Sequence, residues 1–263
     1  MNNLKLPSLP DMANIWQETL QWTPTVQQQV QFQQLYEFIL QGNNQFNLTR
    51  ITDPQEFWEK HLWDSLRGIA PILRDGGVGA AEGENTSLSS PTSSTPLSVI
   101  DIGTGAGFPG FPVAIAVANS TVTLLDSTRK KIAFLEETRA ALDFTNVKTF
   151  TGRAEEVGQQ PQHRQNYDVA LVRAVGTASV CAEYALPLLK QGGLAVIYRG
   201  NWTEEETKVL ENAVDQLGGV IELVDKFTTP LSESIRHCLY LRKVRTTPVH
   251  FPRPVGVPTQ KPL

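Results

Sequence analysis

Residues 99–118, VIDIGTGAGFPGFPVAIAVA, run from a β-branched strand through four glycines and two prolines into an apolar helix. A strand that turns directly into a helix commits the chain to a crossover unit, in which the next strand returns parallel to the first. The same alternation continues downstream. LSVIDI, TVTLLD, NVKTFT, YDVALVRA and LAVIYRG read as strands, with helical stretches from about Pro109 and over 128–142, 179–190 and 203–217 between or after them. Two further strands, about 220–226 and 237–243, lie close enough in sequence to pair antiparallel. The expected fold class is α/β: a mainly parallel seven-stranded sheet with an antiparallel edge, covered by helices on both faces.

A chain of 263 residues, 40% hydrophobic, can bury one large core of this kind and a modest appendage. The appendage is helical. TVQQQVQFQQLYEFIL, residues 25–40, sets Phe32, Leu35, Tyr36 and Ile39 on one face and glutamines on the wet side. A second helix opens with Asp53 as cap, Pro54 in its first turn and Glu56 closing a capping box, and puts Trp58, His61, Leu62 and Ser65 on one side. Residues 1–73 are therefore expected to form a helical subdomain. Residues 74–97 hold too little apolar surface among Gly, Ser, Thr and Pro to offset chain entropy, and read as a disordered linker or inserted loop. The α/β domain then spans 98–244, followed by a basic, proline-rich tail over 245–263.

No run is long and apolar enough to span a membrane, and the first residues lack the charged-then-apolar order of a secretion signal, so a cytoplasmic protein without membrane attachment is expected. Cys181 and Cys238 stand far apart outside any CxxC pattern; neither a metal site nor a disulfide is expected. The net charge is −4, yet residues 234–263 contain no Asp or Glu and six cations: Arg236, Arg242, Lys243, Arg245, Arg253 and Lys261. A basic end on an otherwise acidic chain fits a polyanion docked on one face. A solvated tail accounts for the same pattern.

A glycine turn at a strand end leaves backbone amides and no side chains in a ligand's path, which suits an anionic group. Gly105, Gly107 and Gly110 also meet the G-x-G-x-x-G dinucleotide spacing, a weak signal by itself. Three neighbours bear on the choice. Asp101, in the strand ahead of the first glycine, is poorly placed for a pyrophosphate and well placed for an ammonium or sulfonium. Asp126, ending VTLLD, can accept both ribose hydroxyls in a dinucleotide or an S-adenosylmethionine site. TGRAEE, after the third strand, offers the backbone of Ala154 and the side chain of Glu155 to an adenine edge. These positions favour S-adenosylmethionine over NAD, and the alternatives are an S-adenosylmethionine-dependent methyltransferase of another substrate, an NAD-dependent oxidoreductase and a noncatalytic RNA-binding module. Each acid read singly is also a helix cap or a surface group.

VIDIGTGAGFPGFPVAI, LLDSTRKKIAFLEE, TGRAEE and YDVALVRAV, with the upstream FNLTRITDPQEFWEKHLWDSL and the closing TTPVHFPRPVGVPTQKPL, resemble the bacterial 16S ribosomal RNA guanine-N7 methyltransferase family known as RsmG or GidB. The likeness spans residues 46–263 apart from the low-complexity segment. It implies a Rossmann-like class I S-adenosylmethionine-dependent methyltransferase domain acting on 16S rRNA or the small ribosomal subunit. By position it implies a cofactor site at Gly103 and Phe108 in the turn, at Asp126, Ser127 and Thr128 after the second strand, at Ala154 and Glu155 after the third, and at Arg173 after the fourth. The residue reading adds Asp101 from the strand end and Gly105 from the turn to this candidate site. Two features depart from the family: the connection over 74–97 is longer, and Arg199 in IYRG replaces the usual lysine, keeping charge but not geometry.

Guanine N7 carries a lone pair in the neutral base, so attack on a sulfonium methyl needs no prior loss of a proton. Such an enzyme works by alignment and fixed electrostatics, and no catalytic residue is assigned. The strand ending LVRAV lacks the Asn-Pro-Pro-aromatic cluster used on exocyclic amines, and neither cysteine has the Pro-Cys context for attack on a pyrimidine. Arg173 is expected at the crevice of the strand ends, holding a cofactor carboxylate or a nucleotide phosphate, or else tied to an acid such as Glu155. Arg173, Arg199, Arg245, Arg253 and Lys261 are the candidate RNA contacts. His61, with Asp64 and Ser65, reads as a buried polar anchor between subdomains in preference to an RNA-facing wall. Trp58 reads as core, and Trp63 as a candidate for stacking on a base.

Overall fold

In the computed structural model, which describes residues 7–76 and 95–263, the apolar runs downstream of residue 95 become the strands of one sheet. These are β1 (Leu97–Ile102), β2 (Ser120–Asp126), β3 (Val147–Thr151), β4 (Tyr167–Arg173), β5 (Leu189–Arg199), β6 (Gly219–Thr228) and β7 (Ile235–Lys243), in the order β3-β2-β1-β4-β5-β7-β6. The first five are parallel, and β7 inserts antiparallel between β5 and β6. The chain enters at β1, builds outward to β3, then crosses to β4 on the other side of β1. Strand order therefore reverses between β1 and β4, and their carboxyl ends open a crevice there.

The helices are α1 (Ala13–Leu20), α2 (Val26–Phe46), α3 (Pro54–Phe57), α4 (Asp64–Arg67), α5 (Ala70–Gly76), α6 (Gly110–Ala116), α7 (Arg129–Ala141), α8 (Ala154–Val157), α9 (Ala178–Ala185), α10 (Glu204–Gln216) and α11 (Val257–Gln260), with a π-helical turn over Trp58–Trp63 joining α3 to α4. Asp53 caps α3 as its sequence suggests, its Oδ1 accepting from Gln55 N and Glu56 N at 3.0 Å each. Glu56 does not close the box; it pairs with Lys60 one turn on. Side chains alternating along each strand divide the core in two. Val99, Val122, Leu124 and Tyr240 pack with Trp16, Leu35, Tyr36, Trp58 and Leu62, so the N-terminal helices share a core with one sheet face. Ile100, Leu125 and Val172 pack with α9, α10 and Phe251 on the other.

Two segments differ from the sequence expectation in ways that matter for the site. The helix predicted over 179–190 ends at Ala185, because Pro187 supplies no amide and cannot continue it, and β5 has begun by Leu189. The C-terminal tail is a strap folded onto the domain. Arg164 holds it by donating to the carbonyls of Gly158, Phe251, Thr247 and Pro248 at 2.6–3.1 Å, and Phe251 is buried. Most of the linker expected over 74–97 lies outside the described residues. Among the described residues no helix is long and apolar enough to cross a membrane, and both cysteines are free and buried.

Candidate active site

The glycine turn follows β1 at the reversal point, beside the end of β4. Gly103 turns at φ +71°, where a Cβ would also lie 2.6 Å from Val175 Cγ2. Gly105, at φ +62°, is different: the nearest atom to its would-be Cβ is Gly103 O at 3.9 Å, so this face of the turn is open. Gly110 serves packing, since a Cβ there would meet Leu124 at 2.1 Å.

The expectation of free amides for an anion needs correction. Gly103 N and Thr104 N donate to Leu125 O at 2.8 and 3.0 Å, and Gly107 N and Phe108 N to Thr104 O at 2.9 and 3.1 Å. Gly105 N donates to Asp126 Oδ2 at 3.1 Å and Gly110 N to Asp101 Oδ2 at 2.8 Å. A turn this tight satisfies its own donors and leaves few for a pyrophosphate.

Acidic groups dominate instead. Asp101 is completely buried; its Oδ2 also accepts from Thr104 Oγ1 at 2.6 Å, while Oδ1 has no partner. Burial pushes its pKa up to about 6, against the opposing hydrogen bonds from Thr104 and Gly110 and the charge of Arg173. Asp126 clamps the turn to the next loop, with Oδ1 accepting from Thr128 N at 2.8 Å and Lys131 Nζ at 3.5 Å from Oδ2. Its oxygens keep lone pairs for further donors, and Ser127 and Thr128 beside it are exposed. Ala154 and Glu155 open α8 and are buried. Glu155 Oε1 gathers Arg153 Nη2 at 3.0 Å, Tyr184 OH at 3.1 Å and Gly256 N at 3.1 Å, whereas Oε2 is buried without a partner. Burial works to raise this carboxyl's pKa, but the Arg153 and amide hydrogen bonds outweigh it and hold it below the usual range. The side chain thus also joins α8, α9 and the strap through Oε1.

Arg173 ends β4, and Nη1 donates to Lys60 O and Asp64 Oδ2, both at 3.0 Å. Its ion-pair partner is Asp64 rather than the suggested Glu155. The guanidinium sits 6.0 Å from the centre of the Phe108 ring, which stacks on His61 at 4.4 Å and meets Phe57 edge-on at 5.6 Å. His61 Nε2 bonds Thr49 Oγ1 at 2.8 Å, and Nδ1 is buried without a partner. Burial, then the charges of Arg173 and Lys60, push its pKa down to about 3, so the ring is neutral at pH 7. Next to Arg173, Ala174 adopts φ +57°, a left-handed conformation that a side chain makes costly. Lys60, His61, Asp64, Arg173, Ser232 and Arg236 line a cleft of about 320 Å³. Buried Glu59 closes its floor, accepting from Leu231 N at 2.6 Å and Ser232 N at 2.9 Å and so tying the π-helical turn to the β6–β7 connection.

The other candidate RNA contacts are scattered. Arg199 donates to Gly176 O at 2.7 Å, lies 5.7 Å from the Trp202 ring and lines a separate cleft of about 330 Å³. Of the six cations in residues 234–263, three pair with acids, Arg242 with Glu222, Arg245 with Asp215 and Arg253 with Glu183, a fourth, Lys243, is buried on the carbonyls of Leu186 and Leu189, and Arg236 donates to Ile235 O at 3.5 Å. Four of the six are therefore neutralised or buried, leaving Arg236 in the cleft and Lys261 exposed. Trp63 is as buried as Trp58 and donates to Thr19 Oγ1 at 2.8 Å, so it is not available to a base. Glu59, Glu183 and Tyr184 escaped sequence reasoning. An acid alone in the apolar helix ASVCAEYA was the one signal that Glu183 must be paired.

A seven-stranded sheet of this order, with a glycine turn at its reversal point, an acid next to last in β1 and another ending β2, is the Rossmann-like fold of class I methyltransferases. A crystal structure of a mutant of MtNAS shares the fold, with a TM-score of 0.50 at 10% identity over 83% of this chain and 72% of that one. The chain belongs to the GidB family, rRNA small subunit methyltransferase G, whose model matches residues 28–80 and 86–238. The ribosomal RNA small subunit methyltransferase G of Nostoc punctiforme is 68% identical over 255 residues, covering 97% of this chain and 98% of that one. Its counterpart in Trichodesmium erythraeum is 54% identical over 263 residues, covering 100% and 98%.

Proposed function

We propose that this protein transfers a methyl group from S-adenosylmethionine to N7 of a guanine in 16S ribosomal RNA, working in the cytoplasm on the RNA or the small ribosomal subunit. The observation that carries the cofactor half of this reading is the polarity of the cradle. Most of its amides are spent internally, and the buried Asp101 keeps one oxygen without a donor. Such a site suits a cation better than a pyrophosphate, which weighs against the NAD-dependent alternative. The names of the relatives support the RNA half.

The residues present fit the cofactor. Asp101 Oδ1 would take its ammonium or face its sulfonium, Gly103, Gly105 and Phe108 would form the open floor, and Asp126 with Ser127 and Thr128 would receive the ribose hydroxyls. Ala154 and the backbone of Glu155 would border the adenine, and Arg173 would stand at the methyl-donor end. When bound, S-adenosylmethionine supplies a methyl group on a positively charged sulfur. The protein's share is orientation: N7 of neutral guanine attacks with its own lone pair, so no side chain need remove a proton first. Rigid walls such as the Phe108–His61 stack serve that purpose better than a titrating base.

Calorimetry with S-adenosylhomocysteine and with NADH tests the cofactor assignment. Saturable binding of the nucleoside thioether and none of the dinucleotide is expected. A clean isotherm with NADH alone would reverse the reading, and RNA binding without turnover on 16S rRNA or small subunits would point to a noncatalytic module.

A further inference from the structure

The cleft between the π-helical turn and the β6–β7 connection neighbours the glycine turn through two of its lining residues, His61 and Arg173. Phe108 belongs to that turn, and its ring stacks on His61 at 4.4 Å, while the Arg173 guanidinium at the end of β4 lies 6.0 Å from the centre of the same ring. A methyl acceptor must approach opposite the sulfur, so it enters from a space adjoining the cradle. This cleft, at about 320 Å³, is within the range of small-ligand sites.

Of the two carboxylates that line the cleft, Glu59 is buried and tied to the amides of Leu231 and Ser232, and Asp64 keeps a partly exposed carboxylate for a ligand. Asp64 Oδ2 is held by Arg173 Nη1 at 3.0 Å, which fixes the carboxylate's orientation. Oδ1 accepts no hydrogen bond among the described residues, and 15% of the side chain remains exposed. A fixed carboxylate oxygen rewards a ligand edge that presents donors and penalises one that presents acceptors. Among the RNA bases, guanine offers two adjacent donors on its Watson–Crick edge, N1–H and the 2-amino group, whereas adenine offers an acceptor at N1. The opposite edge of guanine bears N7. Arg236 and Ser232, on the outer side of the cleft, suit the flanking phosphate.

Resting on the functional reading above, we propose that this cleft receives the target base, turned out of its RNA, and that Asp64 selects guanine by accepting from its Watson–Crick edge while N7 faces the cradle. Asp64 is then a specificity residue, and Arg173 positions it. Base-modifying enzymes read an extruded base by hydrogen bonds to this edge.

Full-length protein is assayed with S-adenosylmethionine and 16S RNA carrying either guanine or hypoxanthine at the methylated position; hypoxanthine keeps N7 and N1–H but lacks the 2-amino group. With wild type, the hypoxanthine RNA is expected to react at least about tenfold more slowly, the loss of one hydrogen bond to a charged group. Asp64→Asn is expected to react at least about tenfold more slowly with guanine and to discriminate between the two RNAs about threefold or less. A thermal melt as cooperative as that of wild type reports that the variant is folded. Equal rates of wild type on both RNAs, or undiminished discrimination by Asp64→Asn, overturn the assignment while leaving the methyltransferase reading intact. Failure of wild type to methylate either RNA overturns both.

Discussion

Replacing Arg253 with alanine tests whether the C-terminal strap is part of the folded scaffold. Glu183 is fully buried, and its carboxylate accepts from Arg253 N at 2.8 Å, Nε at 2.9 and 3.1 Å and Nη2 at 2.6 Å. The substitution removes every side-chain donor and leaves a buried charge with one backbone amide. Breaking a buried ion pair from one side costs about 3–5 kcal/mol. Because 21% of the Arg253 side chain is exposed, water can reach the vacated space, which argues for the lower end, about 3 kcal/mol. At about 2–4 °C per kcal/mol for a chain of this size, the melting midpoint falls by about 6–12 °C. Damage also reaches α8, since Gly256 N donates to Glu155 Oε1, so S-adenosylhomocysteine affinity falls as well. Glu183→Gln added to Arg253→Ala removes the stranded charge and restores part of the loss. Thermal melts and cofactor titrations read all three proteins. A midpoint for Arg253→Ala within about 2 °C of wild type, with no gain in the double variant, would refute this reasoning.

Gly105→Ala costs about 1–2 kcal/mol for its left-handed backbone but meets no close atom, so the protein folds and S-adenosylhomocysteine binding, read by calorimetry, weakens at least about tenfold. Cofactor affinity falls as pH drops through about 6, where Asp101 takes up a proton, and Asp101→Asn removes that dependence in titrations from pH 5 to about 8. The stability linkage of Asp101 has the opposite direction: with a folded pKa raised above the ordinary 3.8, its contribution is whole below about 4 and lost as pH rises through about 6. His61, whose folded pKa of about 3 lies below the ordinary 6.5, contributes stability above about 6.5 that is lost as pH falls toward 3. Urea unfolding between pH 8 and about 5 should therefore show a shallower acid decline for His61→Gln than for wild type.

The strands and the glycine turn were legible because their signals are local: β-branched runs, glycines at fixed spacing, and Asp53–Pro54 at a helix start. Partners across the chain were not. Arg173 meets Asp64 109 residues away and Arg253 meets Glu183 70 residues away, and periodicity carries no information about such pairs. The same limit misjudged the basic end, where a count of charges saw six cations and the fold neutralises or buries four. The turn's amides were misjudged for another reason: glycines advertise an accessible backbone, but whether its donors are free depends on how tightly β2 approaches, and Leu125 O takes two of them. The π-helical turn, which carries Lys60 and His61 to the cleft, left no periodic mark.

Methyl transfer itself bears most directly on the whole account. Small ribosomal subunits or 16S rRNA incubated with the protein and methyl-labelled S-adenosylmethionine should acquire label on one guanine, as an alkali-labile 7-methyl product. Label confined to another base, to another atom of guanine or to the protein, from enzyme that binds S-adenosylhomocysteine, would contradict it.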